Sequence, residues 1–378
     1  MSETHHIAVY YFPNYHEDVR NNGWHGKGWT EWELMKRAEP RFNGHDQPKI
    51  PLWGYEDESN PQVMARKIDA AADHGISAFI FDWYWYEDGP YLQRGLEEGY
   101  LKARNADRLK FALMWANHDW LDIHPLTRAL QPPTLASGKV SEKAFIEATD
   151  HMIRHYFGHP SYWKVGGGLY FSIYELMNLI EGLGGLEETK RILDNFRDRV
   201  REAGLGELHL NAVVWGVQIL PGEKKIDNPN DLLEFLGFDS VTSYVWLHHI
   251  GLPAFPQSEY AEWRDKAIAK MSSLADDFRL PYLPNVTMGW DTSPRTVQSD
   301  IYEPVGYQYM ATVSGNTPEQ FELALSQAKS LAEKKCREGM NIVTINAWNE
   351  WTEGSYLEPD THYGFGYLEA IRNVFGKS

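Results

Sequence analysis

Two glutamates near the carboxyl end of the chain, Glu350 and Glu353, are the residues whose type and spacing most clearly suggest chemistry. Enzymes that hydrolyse glycosidic bonds usually employ two carboxyl groups, one as an acid and the other as a base or nucleophile. Trp348 and Trp351 flank the pair, and apolar surroundings raise the pKa of a carboxyl group towards that of a working acid. Two acidic residues at a helix N-terminus would give the same spacing, so a structural role stays open.

The spacing of this pair does not fix the distance between the two carboxyl groups. In a turn the Cα atoms would be about 5–6 Å apart, and in an extended chain about 10 Å. Retaining and inverting hydrolases differ in their carboxyl separation, so both outcomes stay open at this point. Asp82 and Glu175, which also follow apolar runs, are the competing carboxylates.

Aromatic and polar residues recur together at the ends of short apolar runs throughout the chain. Aromatic rings stack on the apolar faces of sugars, while carboxylates and amides hydrogen-bond their hydroxyl groups. Packing is the commoner role of any single tryptophan, but the recurrence of the pattern favours a carbohydrate site. The residues that we expect to bind the sugar are Tyr10, Trp29, Glu31, Asp82, Trp83, Trp115, Asn117, Trp215, Tyr244, Trp290, Asp291 and Asn349.

Composition and charge exclude several other classes of protein. The 378 residues carry a net charge of −17, which disfavours nucleic acid and anionic membrane surfaces as partners. Cys336 is the single cysteine, so neither an internal disulfide nor a thiolate zinc site is possible. The histidines lack the spacing of metal ligands, and we expect neither a metal nor a cofactor.

The sequence also lacks signals for membrane insertion or export. No run approaches 18 apolar residues, and the apolar run after Met1-Ser2-Glu3-Thr4-His5-His6 is too short for a signal peptide. If Met1 is the natural start, we expect a cytoplasmic protein.

Eight short, almost continuously apolar runs have the character of strands buried on both faces of a sheet. They are Ile7–Pro13, Ala78–Trp85, Phe111–Asn117, Gly168–Tyr174, His209–Gly216, Ser240–Val245, Tyr282–Gly289 and Asn341–Asn349. Helical patterns lie between them at Pro61–His74, Ser141–Tyr156, Leu186–Ala203, Glu259–Leu274 and Pro318–Glu338.

Alternating strands and helices predict an α/β protein with a parallel sheet, and eight such units predict a (β/α)8 TIM barrel. No linker interrupts the chain, so we expect one catalytic domain over residues 1–378, with an open doubly wound sheet as the alternative. The segment Asn14–Asn60 precedes the first helical pattern and is predicted to be a long functional loop. It would lie at the carboxyl ends of the strands, where barrel active sites are found.

Four strings of the sequence resemble glycoside hydrolase family 99, and more closely the WbsX-type proteins found with bacterial polysaccharide genes. They are Trp24–Trp32, Ala38–Pro48, Gly289–Arg295 and Asn346–Pro359, and the likeness extends to Glu369. The resemblance implies a (β/α)8 barrel that uses no metal and cleaves α-mannosidic linkages with retention.

The resemblance also implies a role for each glutamate. Glu350 would remove the proton from the 2-hydroxyl of the substrate, which closes onto C1, and Glu353 would protonate the leaving oxygen. Thr352 departs from the family motif, which has histidine there. Because WbsX-type proteins are often labelled glycosyltransferases, a transferase and a catalytically silent carbohydrate-binding protein are the alternatives to a hydrolase of mannose-like or polysaccharide linkages. The sequence contains no Asp-x-Asp motif and no diphosphate-binding glycine-rich loop, and both absences count against a sugar-nucleotide transferase.

Overall fold

The computed structural model of the chain describes residues 5–216, 228–335 and 339–376. Parallel strands form a barrel at its centre, and all eight predicted strands are present. They are β1 (His6–Tyr11), β2 (Ala78–Tyr86), β3 (Lys110–Trp115), β4 (Gly168–Ile173), β5 (Leu208–Val213), β6 (Ser240–Thr242), β7 (Tyr282–Leu283 and Asn285–Thr287) and β8 (Ile342–Asn346).

The seventh strand closes the barrel in two pieces. Tyr282 pairs with Val241 of β6, and Asn285 pairs with Thr344 of β8, while β8 pairs in turn with β1. Pro284 separates the pieces because proline has no N–H to donate to a neighbouring strand. The structure therefore confirms the predicted (β/α)8 barrel.

Helices surround the barrel in the predicted alternation. They are α1 (Val19–His25), α2 (Trp32–Met35), α3 (Pro61–Asp73), α4 (Glu142–His155), α5 (Leu176–Gly182), α6 (Leu186–Glu202), α7 (Pro229–Leu236), α8 (Tyr260–Asp277), α9 (Pro318–Lys335) and α10 (Gly366–Phe375). A single π-helix, Gly95–Tyr100, follows β2. The last three residues of the predicted helix Pro318–Glu338 lie outside the described residues. Among the described residues, no helix is long and apolar enough to cross a membrane.

The start of α3 is fixed by its capping residues. Asn60 caps α3 by accepting a hydrogen bond from the Gln62 N–H at 2.9 Å, and Pro61 occupies the first helical turn. The sequence did not predict α5, α7 and α10, because 7 to 10 residues are too few for a helical pattern to be distinguished from other short apolar segments.

The long first loop is more structured than the sequence indicated. It contains α1 and α2, which have only seven and four residues and therefore leave little periodic signal. Asp18 caps α1, and its side chain accepts a hydrogen bond from the Arg20 N–H at 2.8 Å. The loop runs over the carboxyl ends of the strands and sends Glu31 into the interior, where it is fully buried.

A buried ion pair joins the helix after this loop to the segment that follows β8. Lys67 Nζ of α3 lies 2.6 Å from Glu358 Oε1, and both side chains are at most 4% exposed. The indole N–H groups of Trp348 and Trp351 donate to the same carboxylate at 3.0 and 2.7 Å. Glu358 thus fixes the two tryptophans that flank Glu350.

We expect Lys67→Met to destabilise the protein by about 3–5 kcal/mol, because it leaves the Glu358 carboxylate buried without its cation. Urea denaturation of the two proteins side by side measures the difference. Lys143→Met is the matched control, since Lys143 is 83% exposed and 3.7 Å from Glu147, and its loss should cost less than about 1 kcal/mol. Equal effects of the two substitutions would show that the buried ion pair contributes no more to the free energy of unfolding than the exposed one.

Candidate active site

A cavity of about 680 Å³ opens at the carboxyl ends of the strands. Its carboxyl and guanidinium groups come from Asp82, Asp119, Arg295, Glu350 and Glu353. Aromatic rings supply much of the remaining wall, and among them are Tyr84, Trp120, Tyr174, Tyr244, Trp290 and Tyr307. The combination offers both stacking surfaces and hydrogen-bonding groups to a ligand.

The two glutamates reach the cavity from a tight turn directly after β8. Asn349–Glu350 pairs with Ser355–Tyr356 as a short hairpin, and Trp351–Glu353 forms one 3-10 turn between them. Gly354 ends the turn with a φ of 64°, a conformation that L-residues with side chains seldom adopt. A Cβ atom at this position would also lie 2.7 Å from Cβ of Asp291. Only glycine therefore permits the turn that brings Glu350 and Glu353 to the same wall.

Arg295 is the cation at the centre of the carboxylates. Its Nε and Nη2 atoms donate to Glu31 Oε1 at 2.9 and 2.8 Å, and Nη1 donates to Glu353. Its Nη2 also lies 3.5 Å from Glu350 Oε2. Burial by itself raises the pKa of Glu31, but its neighbours Arg295, His124 and Thr352 together outweigh burial and hold that pKa below its usual value. Glu31 is thus a permanent counter-charge to the arginine.

Glu353 has a second donor besides the arginine. The Tyr307 hydroxyl accepts from Arg295 Nη1 at 2.7 Å and donates to Glu353 Oε1 at 2.6 Å. Thr352, between the two glutamates, points away from the cavity and donates to Glu31. Thr352, which stands where the family-99 motif has histidine, therefore binds Glu31 through its hydroxyl group.

Glu350 shares a hydroxyl group with Asp82 on the opposite side. The Tyr244 oxygen lies 2.8 Å from Asp82 Oδ2 and 3.1 Å from Glu350 Oε1. Burial and the charge of Glu353 raise the pKa of Glu350 well above its ordinary value. Burial likewise raises the pKa of Asp82 well above its ordinary value, despite the Tyr244 contact. Both groups therefore hold a proton more firmly than an exposed carboxyl does.

Strand alternation decides which of the predicted residues reach this cavity. Side chains of consecutive strand residues point to opposite faces, so Asp82 faces inward while Trp83 faces the helices. Trp83 stacks on Trp85 at 5.5 Å, and Trp115 packs on Phe145 of α4 at 5.5 Å. Asp82, Tyr244, Trp290, Glu350 and Glu353 are the predicted residues that line the cavity. Neither Trp83 nor Trp115 does so.

Other predicted residues border the cavity without lining it. Tyr10 is fully buried, and its ring lies 4.7 Å from that of Tyr244. Trp29 of the first loop packs on the edge of His124, a cavity residue, at 5.8 Å. Trp215 is half-buried and lies 5.1 Å from the ring of Tyr174. Glu31 lies behind Arg295, and its Oε2 atom is 3.8 Å from Nε2 of His124, another cavity residue.

Three further predicted sugar ligands have their polar atoms bound within the protein. Asn349 exchanges hydrogen bonds with the backbone of Phe12 at 2.8 and 2.7 Å, and Asn117 does the same with Glu175 at 2.7 and 2.8 Å. Asp291 accepts from His45 and Gln47 of the first loop at 2.9 and 2.7 Å. In the structure these three side chains hold neighbouring backbone or loop segments, and their contact with sugar hydroxyls stays a prediction.

Sequence reasoning missed Arg295, Tyr307 and His124 as residues of the site. Arg295 is the last residue of Gly289–Arg295, one of the strings that carry the resemblance. A single arginine near several candidate carboxylates could have indicated a buried counter-charge. The ring of His124 stacks on that of Trp120 at 5.4 Å. Burial lowers the pKa of His124 to about 3, so its ring is neutral. Among the residues that the structure describes, no three His, Cys, Asp or Glu side chains are arranged to hold a metal ion.

The fold and the cavity define a (β/α)8 barrel protein with a buried carboxyl cluster at the strand ends. A family model described as glycosyltransferase WbsX matches residues 7–371, and the chain belongs to this family. It is 27% identical over 383 residues to the uncharacterized protein WxcX of Xanthomonas campestris pv. campestris. That match covers 98% of this chain and 50% of WxcX, so the chain spans about half the length of the relative.

Solved structures with the same fold include glycoside hydrolases of family 99. The GH99 endo-alpha-mannosidase from Bacteroides thetaiotaomicron superposes with a TM-score of 0.58 at 12% identity, covering 98% of this chain and 96% of the mannosidase. A glycoside hydrolase-like protein gives a TM-score of 0.62 at 15% identity, with 100% and 95% coverage. These likenesses confirm the family-99-like barrel.

We expect Asp82→Asn to gain stability relative to the wild type as the pH rises from about 4 to about 7. In this range folded Asp82 keeps a proton that the unfolded residue releases, so the wild type loses stability as the pH rises. Each unit by which the folded pKa is raised corresponds to about 1.4 kcal/mol. Urea denaturation at both ends of the range measures the effect, and exposed Asp107→Asn is the control. A pH-independent effect of Asp82→Asn would contradict a protonated Asp82.

Proposed function

We propose that this protein is a glycoside hydrolase that cleaves a mannose-like or bacterial polysaccharide linkage. The observation that carries the proposal is the pair Glu350 and Glu353 on one cavity wall, bound to the same arginine and faced by aromatic rings. The likeness of the fold to a family-99 endo-alpha-mannosidase supports this substrate class. An oligosaccharide or polysaccharide is the expected partner.

In the first step, Glu350 removes the proton of the sugar 2-hydroxyl. The resulting oxygen attacks C1, the bond from C1 to the leaving oxygen breaks, and Glu353 delivers a proton to that oxygen. A carboxylate whose pKa is raised is a stronger base once ionised, which suits Glu350 to this task. Arg295 and Tyr307 then stabilise the carboxylate that remains on Glu353.

In the second step, the same two groups work in reverse. Glu353 takes a proton from water as the water attacks C1, and Glu350 returns its proton to the 2-oxygen. Each step inverts C1, so the overall outcome is retention. Because the substrate supplies the nucleophile, the usual relation between carboxyl separation and stereochemistry does not apply.

The family description favours a glycosyltransferase as the second candidate. A transferase that uses a sugar nucleotide must neutralise a diphosphate, usually with a cation, a glycine-rich loop or a metal. Among the described residues that line the cavity, Arg295 is the one arginine or lysine, and Glu31 and Glu353 already bind it. Thermal-shift measurements with a panel of sugar nucleotides test this alternative, and strong stabilisation by one of them would favour it.

We expect the protein to release shorter saccharides from at least one member of a panel of yeast and bacterial polysaccharides. Mass analysis of the products after incubation measures cleavage, and the anomeric configuration of the first product by NMR tests retention. The Glu350→Gln/Glu353→Gln double variant is the control for contaminating hydrolases. Binding without cleavage across the panel would favour a silent carbohydrate-binding protein.

We expect Glu350→Gln and Glu353→Gln each to lower kcat/KM by about 10²–10⁴-fold, because the amide keeps the shape but removes the proton chemistry. A fluoride leaving group needs no proton, so it should partly rescue the first step of Glu353→Gln but not that of Glu350→Gln. Exposed Glu369→Gln is the matched control and should retain full activity. Full activity of both variants would reduce the pair to a structural role.

We expect a 2-deoxy analogue of a cleaved substrate to be inert to the wild type, since it lacks the proposed nucleophile. Initial rates for the 2-deoxy and parent glycosyl fluorides, each corrected for spontaneous hydrolysis, make the comparison. Cleavage of both at similar rates would point to a nucleophile supplied by the protein, such as Asp82 or Glu175.

A further inference from the structure

One phenolic proton faces two carboxyl groups at the base of the cavity. The Tyr244 oxygen is within hydrogen-bonding distance of Asp82 Oδ2 at 2.8 Å and Glu350 Oε1 at 3.1 Å. Burial and the charge of Asp82 raise the pKa of Tyr244, so the phenol keeps its proton. Since a phenol donates one hydrogen bond, the second short contact requires a proton on one of the two carboxyl groups.

The charges around the pair decide which carboxyl group holds that proton. Arg295 Nη2 lies 3.5 Å from Glu350 Oε2 and favours the ionised form of Glu350. Asp82 has no such cation, and its Oδ1 atom is buried without a hydrogen-bond partner in the part of the chain that the structure describes. Burial without a counter-charge favours the neutral form of a carboxyl group, so the proton is more stable on Asp82.

The remaining titratable groups around the cavity do not reverse this order. When Glu353 is ionised, its negative charge acts on both Asp82 and Glu350. Glu31 also acts on Glu350, but Arg295 compensates it directly. The further titratable residues in or beside the cavity are Asp119, Tyr10, Tyr84, Tyr174, Tyr307, His118, His124 and His248. Asp119 is a carboxyl group and supplies no cation to either Asp82 or Glu350. The tyrosines among them whose pKa is raised by burial, Tyr10, Tyr84 and Tyr307, stay neutral.

We propose that Asp82 and Glu350 share one proton through Tyr244, that this proton resides on Asp82, and that it keeps Glu350 ionised as the base. Asp82 then donates to the Tyr244 oxygen, and Tyr244 donates to Glu350 Oε1. Asp82 is therefore a positioning residue for the base, in addition to its place on the cavity wall. The use of this arrangement in catalysis rests on the proposed hydrolase function, whereas the location of the proton does not.

The location of the proton is tested by infrared difference spectroscopy of the whole chain at neutral pH. The wild type should show a protonated-carboxyl C=O band that disappears in Asp82→Asn and persists in Glu353→Gln, which distinguishes it from any band of a protonated Glu353. The band should persist in Glu350→Gln, because Asp82 remains buried without a cation. Glu353→Gln and exposed Glu369→Gln are the controls and should retain it. Absence of the band in the wild type, its persistence in Asp82→Asn, or its loss in Glu350→Gln would overturn the proposal.

The consequence for the base is tested by kinetics with α-mannosyl fluoride, which needs no proton from Glu353. The wild type should lose kcat/KM at alkaline pH, because Asp82 without its proton no longer donates to Tyr244, whose hydrogen bond positions Glu350. Asp82→Asn should lack this alkaline limb, because the amide donates to Tyr244 at every pH. Asp82→Leu, which has no donor, should be about tenfold or more below Asp82→Asn in kcat.

These two measurements separate the failure of the proton arrangement from the failure of the hydrolase function. If the wild type cleaves no substrate, the infrared result alone decides where the proton resides. If it does cleave, identical alkaline limbs in the wild type and Asp82→Asn would overturn the role of Asp82 as a positioning residue for Glu350.

Discussion

Arg295 is buried among three carboxylates that come from opposite ends of the chain, and the arrangement of the site depends on this contact. Glu31 comes from the first loop, Arg295 follows β7, and Glu350 and Glu353 follow β8. Burying a carboxylate without a counter-charge costs several kcal/mol. Each of these segments therefore needs the others in position before its charged side chain can be buried. The long first loop is consequently part of the site, although its residues Trp29 and Glu31 border the cavity without lining it.

Most polar residues near the cavity serve to hold this arrangement in place. Glu358 fixes the indoles of Trp348 and Trp351, and Lys67 neutralises it from α3. Asp291 ties the first loop to the segment after β7, and Gly354 fits against it with no room for a side chain. A small number of cavity groups is therefore supported by a larger set of residues whose hydrogen bonds are already satisfied.

The charge balance of the cavity gives Glu350 and Glu353 different surroundings in spite of their proximity in sequence. Glu353 accepts hydrogen bonds from two donors, Arg295 and Tyr307. Glu350 is 3.5 Å from the same arginine on one side. On the other side it contacts the Tyr244 phenol, which also contacts Asp82. Unequal surroundings of two neighbouring carboxyl groups are what separate the roles of a base and an acid.

The sequence alone determined the eight strands, the barrel and the close placement of Glu350 and Glu353, because these depend on local patterns. Buried parallel strands are continuous apolar runs, and the turn that ends in Gly354 is encoded within a few residues. Only the tertiary structure decided which strand-end residues face the cavity. A shift of one residue in a strand turns a side chain from the cavity to the helices, as for Asp82 and Trp83, and strand ends are not defined that finely by sequence. The partners of Arg295, Asn117 and Asp291 were equally beyond the sequence, because each lies on another segment that only folding brings into contact.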